Sequence, residues 1–234
     1  MTDPNRALFE SVVSLLAPVL DELVFVGGCT TGIFVTDPAA GDIRPTKDVD
    51  AIVDVTSYAQ YTVLSDRLRA LGLVEDTSEG APLCRWRQGS VIVDVMPTDA
   101  SVLGFSNRWY PLAIATAQRL DIAGHAARIV TPALFIATKL EAFHGRGHDD
   151  VFASHDLEDI ITVVDGRPEI VDDVAAADEQ ARAYISADIR SLLDNPDFVE
   201  ALAGFLLPDA ASQARRTILE QRLEALARSG APLP

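Results

Sequence analysis

The residues best spaced for metal and phosphate chemistry are aspartates. Asp48-Val49-Asp50 lies within Lys47 to Val55, a stretch that alternates polar and apolar in its first half and has β-branched residues throughout. On a strand, residues i and i+2 face the same side with α-carbons roughly 6.6 Å apart, so the two carboxylates point one way. Such a pair can hold a hard divalent cation such as Mg2+, which takes oxygen ligands and keeps water and phosphate oxygens in its other positions. An Asp-rich chain produces Asp-x-Asp pairs by chance, so context carries the reading. Like charges side by side repel unless solvated or metal-bound, and this pair sits between apolar residues. A third carboxylate, Asp94, stands in Val91-Ile92-Val93-Asp94-Val95-Met96, where every other member is apolar. It is expected to be buried and partnered, because an unpaired carboxylate in such surroundings is costly; the alternative puts it on a sheet edge facing water. If its strand neighbours that of Asp48, three carboxylates converge on one end of a sheet.

Gly27-Gly28 ends a short apolar run and precedes a segment, Cys29 to Val35, that reads as a short helix. Glycines at such a turn let backbone amides approach a phosphate closely. Two other nucleotide-binding patterns fail. A P-loop requires Gly-x-x-x-x-Gly-Lys-Ser/Thr; Gly27 and Gly32 have the glycine spacing, but Ile33 and Phe34 occupy the lysine and hydroxyl places. A dinucleotide site requires Gly-x-Gly-x-x-Gly and a distal acid; Asp48 lies 20 residues beyond Gly28, but the glycine spacing is wrong. His144 and His148 are four apart, yet Gly145 and Gly147 break the helix that would align them as zinc ligands. No Gly-x-Ser-x-Gly elbow is present and Cys29 has no identifiable base, so nucleophilic hydrolysis has no support.

The elements that must position these residues follow from periodicity. Arg6 to Leu16 has helical spacing, Leu23 to Val26 reads as a buried strand, and Asp37 to Pro45, with its prolines, Gly and Asp, as a loop. Ser57 to Leu71 is an amphipathic helix ending at Gly72. Leu83 to Arg87 and Ser90 to Met96 form a plausible hairpin around Gln88-Gly89. Ser101 to Val130 resists assignment. Beyond it the pattern is helical: Thr131 to Phe143, Ser154 to Val164, Ala175 to Leu193, Pro196 to Leu206 and Ala210 to Ala227. The expectation is an α/β (α+β) fold, a small mixed-sheet core over residues 1–130 followed by a C-terminal helical domain over residues 131–234.

Composition narrows the partners. The 234 residues carry 19 basic and 35 acidic side chains, a formal net charge of −16. That balance repels phosphate backbones, so no extended DNA groove is expected, and any RNA must approach through locally clustered arginines. Arg outnumbers Lys by 17 to 2, leaving only Lys47, beside the paired carboxylates, and Lys139, on the first helix of the second half. Lys139 reads either as a phosphate-binding point charge reaching across a cleft or as an ordinary solvated lysine. Acids at the start of the following helix, Asp156, Glu158 and Asp159, suit the helix dipole without any function. Two cysteines give no disulfide framework, and neither a signal-peptide pattern nor a membrane-length apolar run is present. The chain reads as soluble and cytoplasmic.

Val26-Gly27-Gly28, then Asp48-Val49-Asp50, then Asp94 resembles the nucleotidyltransferase superfamily of DNA polymerase β type. Within it, Gly27 to Gly32, Arg44 to Asp50, Thr138 to Gly147 and His155 to Ile160 resemble the AbiEii/AbiGii toxin-like branch, which includes MenT-type toxins. The resemblance spans Phe25 to Arg167. It implies Mg2+-dependent transfer of a nucleotidyl group from a nucleoside triphosphate (NTP) to an acceptor hydroxyl. Asp48 and Asp50 would hold the metal, and Asp94 would ligate a second ion or act as base on the acceptor. Gly27, Gly28 and Thr30 would cradle the triphosphate, with Thr46, Lys47 and Arg146 as further nucleotide contacts. Lys139 would neutralise charge, and Asp156 or Asp159 would complete a distal site. Two positions depart from the pattern: Gly28 where many members have Ser, and His155 where toxin relatives often carry Arg.

The leading expectation is therefore a nucleotidyltransferase modifying a tRNA end or a protein, as the toxin of a toxin-antitoxin or phage-defence pair with a cognate antitoxin. A second enzyme reading takes a small cationic acceptor such as an antibiotic. A third class is a nucleotide-binding regulator without turnover, against which three intact carboxylates count.

Overall fold

The computed structural model describes residues 3–146 and 149–230, and the chain divides into two compact units. One is formed by residues 4–30 and 45–131, the other by residues 31–44, 132–146 and 149–230 together with Asp3.

The first unit is built on a mixed seven-stranded sheet. Its strands are β1 (Leu23–Val26), β2 (Val49–Val53), β3 (Val74–Glu75), β4 (Arg85–Gln88), β5 (Val91–Pro97), β6 (Gln118–Ile122) and β7 (His125–Ile129), in the order β3-β4-β5-β2-β1-β7-β6. Parallel pairing joins β2 to β5 and β1 to β7; the other neighbours are antiparallel. β1 is buried at every position, as its unbroken apolar run requires of a central strand. The helix Arg6–Leu15 lays Phe9, Val12 and Val13 into the core, and the Phe9 and Phe25 rings meet edge to face at 5.1 Å. The helix Tyr58–Ala70 starts at Ser57, whose hydroxyl accepts from the Gln60 amide, and stops before Gly72 in the left-handed region. It anchors β5 directly: the buried Tyr61 hydroxyl donates to the Val95 carbonyl at 3.0 Å.

The unassigned stretch contains two short helices, Ala100–Leu103 and Tyr110–Ala115, and the β6–β7 hairpin. That hairpin turns on Ala123 and Gly124, with φ of 52° and 83°. Two successive positive φ values are the requirement of the tight turn whose twist matches paired strands.

The second unit is helical. Its longer helices are Pro132–Arg146, His155–Gly166, Glu179–Asp194 and Arg216–Arg228. Phe135, Leu140, Phe143, Leu157, Ile160, Ile185, Ile189 and Leu223 form its apolar interior. Residues 31–44 belong here, although the expected cut at 130/131 groups them with the sheet. The amides of Thr36 and Asp37 both donate to the Gly166 carbonyl at 2.9 Å, and Arg215 bonds both Asp165 and Asp37. Phe34 stacks edge-on against Phe135 at 5.2 Å. The fold is thus α/β with a C-terminal helical region. Among the described residues no helix is long and apolar enough to cross a membrane.

Candidate active site

Strand register assembles the three aspartates. Asp50 on β2 is the partner of Asp94 on β5, Asp94 is the partner of Arg85 on β4, and Asp50 is also opposite Val26 at the end of β1. Adjacent strands lie about 4.8 Å apart, so Arg85, Asp94 and Asp50 stand side by side in one row across the sheet. Asp48 precedes β2 by one residue. Its Oδ2 accepts from Arg85 Nη2 at 2.8 Å, and its Oδ1 accepts from the Thr46 hydroxyl at 2.9 Å. Thr46 is itself fixed, its amide donating to Asn5 Oδ1 at 2.8 Å.

Asp94 is 6% exposed, and the strand it occupies lies inside the sheet, so the edge alternative is excluded. Arg85 supplies the expected partner with a two-point clamp, Nε to Oδ1 at 2.9 Å and Nη2 to Oδ2 at 2.8 Å. The hydrogen bonds Arg85 donates to Asp94, reinforced by the charges of Asp94 and Asp48, raise the Arg85 pKa and keep it cationic. Next to it, burial with the charges of Asp94 and Asp50 pushes the Cys84 thiol up to about 12. Cys84 is therefore an inert thiol at neutral pH.

The glycine turn lies directly under Asp50. Gly27 has φ +74°, and a β-carbon there would sit 1.9 Å from Asp50 Oδ2. The conformation and the close approach both require glycine. The buried Gly28 opens a 3-10 turn through Thr30, whose amide and hydroxyl both bond the Gly27 carbonyl, the hydroxyl at 2.8 Å. Thr30 thus closes the turn. Lys47 is exposed beside this cluster.

In the helical unit, a second charged cluster gathers Lys139, Asp156 and Asp159. Lys139 is 6% exposed, and its Nζ donates to Asp156 Oδ1 at 2.9 Å and Asp159 Oδ2 at 2.6 Å. The reading of Lys139 as a solvated lysine is excluded by this burial. Burial works to lower its pKa, but the charges and hydrogen bonds of Asp159 and Asp156 outweigh it and raise the pKa. Arg44 adds a bond from Nη2 to Asp159 at 3.1 Å and an ion pair with Glu158 at 3.4 Å. Ser154 caps the helix that carries the acids, accepting from the Leu157 amide at 3.2 Å. The side chain of Arg146, and His148, lie outside the described residues.

Arg85 is a charged member the motif reading misses, and Arg44 falls inside the Arg44 to Asp50 motif without a role assigned to it. A signal for Arg85 exists: with Gln88 opposite Val91 across the hairpin turn, counting back places Arg85 opposite Asp94.

The donor chemistry fits Mg2+, since this ion is usually held by one or two carboxylates and completed by water and substrate phosphates. The described residues contain no preformed group of three or more His, Cys, Asp or Glu that could hold a metal. Arg85 bonds Asp48 and Asp94 at once. The Asp48 side chain is 29% exposed and Asp50 is partly exposed.

No family model and no curated protein matches the sequence. Among solved structures, the chain is similar to JHP933 from Helicobacter pylori, with TM-score 0.51 and 12% identity over 97% of this chain and 91% of that one. This likeness is one of fold. An antigenic nucleotidyltransferase-like protein from Paracoccidioides brasiliensis aligns with TM-score 0.48 and 21% identity over 83% of this chain and 92% of that one.

Proposed function

We propose that the chain is a Mg2+-dependent nucleotidyltransferase that moves a nucleoside monophosphate from an NTP to an acceptor hydroxyl. The observation that carries the reading is the row of Asp94 and Asp50 on adjacent parallel strands, with Asp48 beside them and the bare Gly27 turn beneath Asp50. Asp48 and Asp50 would hold the cation, which would withdraw charge from the phosphate oxygens. Thr46 and Arg85 orient Asp48 for this role. The backbone at Gly27 and Gly28, with Thr30 closing the turn, would receive the triphosphate. Asp94 would accept the proton of the acceptor hydroxyl as its oxygen forms the new bond to the α-phosphorus and pyrophosphate leaves.

Lys139 with Asp156 and Asp159 would supply a fixed distal charge cluster, with Lys47 and Arg146 as outer nucleotide contacts. These assignments, and an acceptor that is a tRNA end or a protein hydroxyl, rest on the sequence resemblance. So does a toxin role with a cognate antitoxin.

The test is incubation with each α-labelled NTP and Mg2+ in the presence of pooled tRNA, cell protein or aminoglycosides. Label is expected in one macromolecular acceptor and lost in Asp48→Ala. Label on an aminoglycoside alone would move the enzyme to small acceptors. No label, with no Mg2+-dependent NTP binding, would leave a scaffold without turnover.

A further inference from the structure

The sheet of the first unit has two edges that differ. β3 ends it with two residues, Val74–Glu75, too short a strand to template another chain. β6 ends it with five, Gln118–Ile122, paired to β7 without a bulge and containing neither the proline nor the lysine that blunts exposed edges. The way β6 faces is fixed by its neighbours. The Val130 amide donates to the Phe25 carbonyl at 3.0 Å, so Arg128 and Val130 turn their main chains to β1. Ile129, Ala127 and His125 turn theirs to β6, where they meet Gln118, Leu120 and Ile122. The N–H and C=O groups of Arg119 and Asp121 therefore point away from the sheet, and among the described residues no main-chain group bonds them.

Arg119 and Asp121, two positions apart, also share one face of the sheet, and both are exposed. Arg119 pairs with Asp21 at 2.9 Å, both side chains more than half exposed, and Asp121 Oδ1 accepts from the Gly124 amide at 3.2 Å. Neither contact uses the outward main chain, and each side chain keeps further donors or lone pairs.

We propose that β6 is a docking edge for a second copy of this chain, paired antiparallel with Leu120 at the two-fold axis. The register follows from the outward groups and from charge. A hydrogen-bonded antiparallel pair exchanges two bonds, so only Arg119 and Asp121 can make such pairs across this edge. Centring on Arg119 sets arginine against arginine, and centring on Asp121 sets aspartate against aspartate, both repulsive. Centring on Leu120 sets each Arg119 against Asp121 of the other copy. Both outward residues of each copy then bond main chain to main chain, both charge pairs attract, and Leu120 meets Leu120 on the opposite face. The strand is complementary to itself, as an isologous contact requires. Nothing in this pairing depends on the chemistry at Asp48 and Asp50.

The experiment reads mass by light scattering on the full chain at about 100 µM, a range that captures contacts of small area. The parent is expected at twice the mass of one chain; a parent at one chain's mass would overturn the proposal. Arg119→Asp sets acid against acid and Asp121→Arg sets base against base, so each should be monomeric alone. Mixed in equal amounts they should restore the dimer, since every acid then faces a base, and Arg119→Asp/Asp121→Arg should pair with itself. Single variants that dimerise like the parent, or a mixture of folded single variants that stays monomeric, would also sink it. Should a charge variant not fold, Leu120→Cys tests the same register with both charges in place. Facing residues of a non-hydrogen-bonded pair have α-carbons about 4.5 Å apart, within disulfide reach, and the native Cys29 and Cys84 are buried. Under air this variant should run as a covalent dimer that reductant splits; failure to cross-link would put the contact elsewhere and end the proposal.

Discussion

The two charged clusters of this protein use the same chemistry to opposite ends. In the helical unit, Lys139 and Arg44 meet the buried Asp156 and Asp159 at 2.6 to 3.1 Å, and Arg44 also pairs with Glu158. In the sheet unit, the Arg85 guanidinium bonds Asp48 and Asp94, and Asp48 and Asp50 are partly open to solvent. A buried set of charges is closed to ions from solvent, whereas a partly exposed one is open to them. The comparison teaches that carboxylate count alone does not mark a metal site. Access to the carboxylates is what separates a site from a scaffold.

Removing a carboxylate from the accessible cluster should have the largest effect. Asp50→Ala is expected to abolish nucleotidyl transfer, a loss of about 10³-fold or more, while the protein stays folded. Labelling assays beside thermal melts check both halves. Loss of folding in this variant would break the comparison, since Asp50 would then be architectural. The buried cluster should respond in the opposite sense. Lys139→Met leaves Asp156 and Asp159 facing each other without their shared ammonium, and removing one partner of a buried pair costs about 3–5 kcal/mol. Urea unfolding measures it; a change below about 1 kcal/mol together with lost labelling would transfer Lys139 from scaffold to site.

A smaller effect is expected at Gly27, where geometry, not charge, protects the open cluster. Ala at this position must adopt φ +74° and place its β-carbon 1.9 Å from Asp50 Oδ2. The backbone strain costs of order 1–3 kcal/mol, and displacement of Asp50 should weaken Mn2+ binding. Calorimetry on Gly27→Ala separates the two, and an unaltered metal affinity would show that Asp50 is not seated by this turn.

Much of this arrangement is legible in the sequence where local rules suffice. Leu23 to Val26 is read as a strand and found as one, and the Ser57 and Ser154 caps mark their helices. The apolar run around Asp94 correctly foretells its burial and partner. What escapes is set at long range or by atypical residues. Ala175 to Leu193 reads as one helix, but Asp178 accepts from the amides of Gln180 and Ala181 and starts a new one, leaving Ile170–Ala175 separate. The β6–β7 turn uses Ala123-Gly124 in place of the usual Asn-Gly signal. Residues 31–44 join the helices through the Gly166 carbonyl, a partner more than a hundred positions away that no local pattern announces.

The smallest predicted effect sharpens the role of exposure. His144 lies between Asp149 and Asp188, with Nδ1 2.5 Å from Asp149 and Nε2 2.8 Å from Asp188. Burial works to lower its pKa, but the two carboxylates outweigh it and raise it above 6.5. A raised pKa for a base means that the folded state binds the proton more tightly. Its stabilisation is fully present below about pH 6.5 and is lost as pH climbs through the folded value. The side chain is 41% exposed, so solvent screening holds the contribution to about 0.5 kcal/mol. Urea unfolding of the parent and His144→Gln at pH 5.5 and pH 8.5 should therefore show a slightly larger pH-dependent loss in the parent. A loss in the multi-kcal/mol range of Lys139→Met would mean that burial is not what separates strong charge clusters from weak ones in this fold.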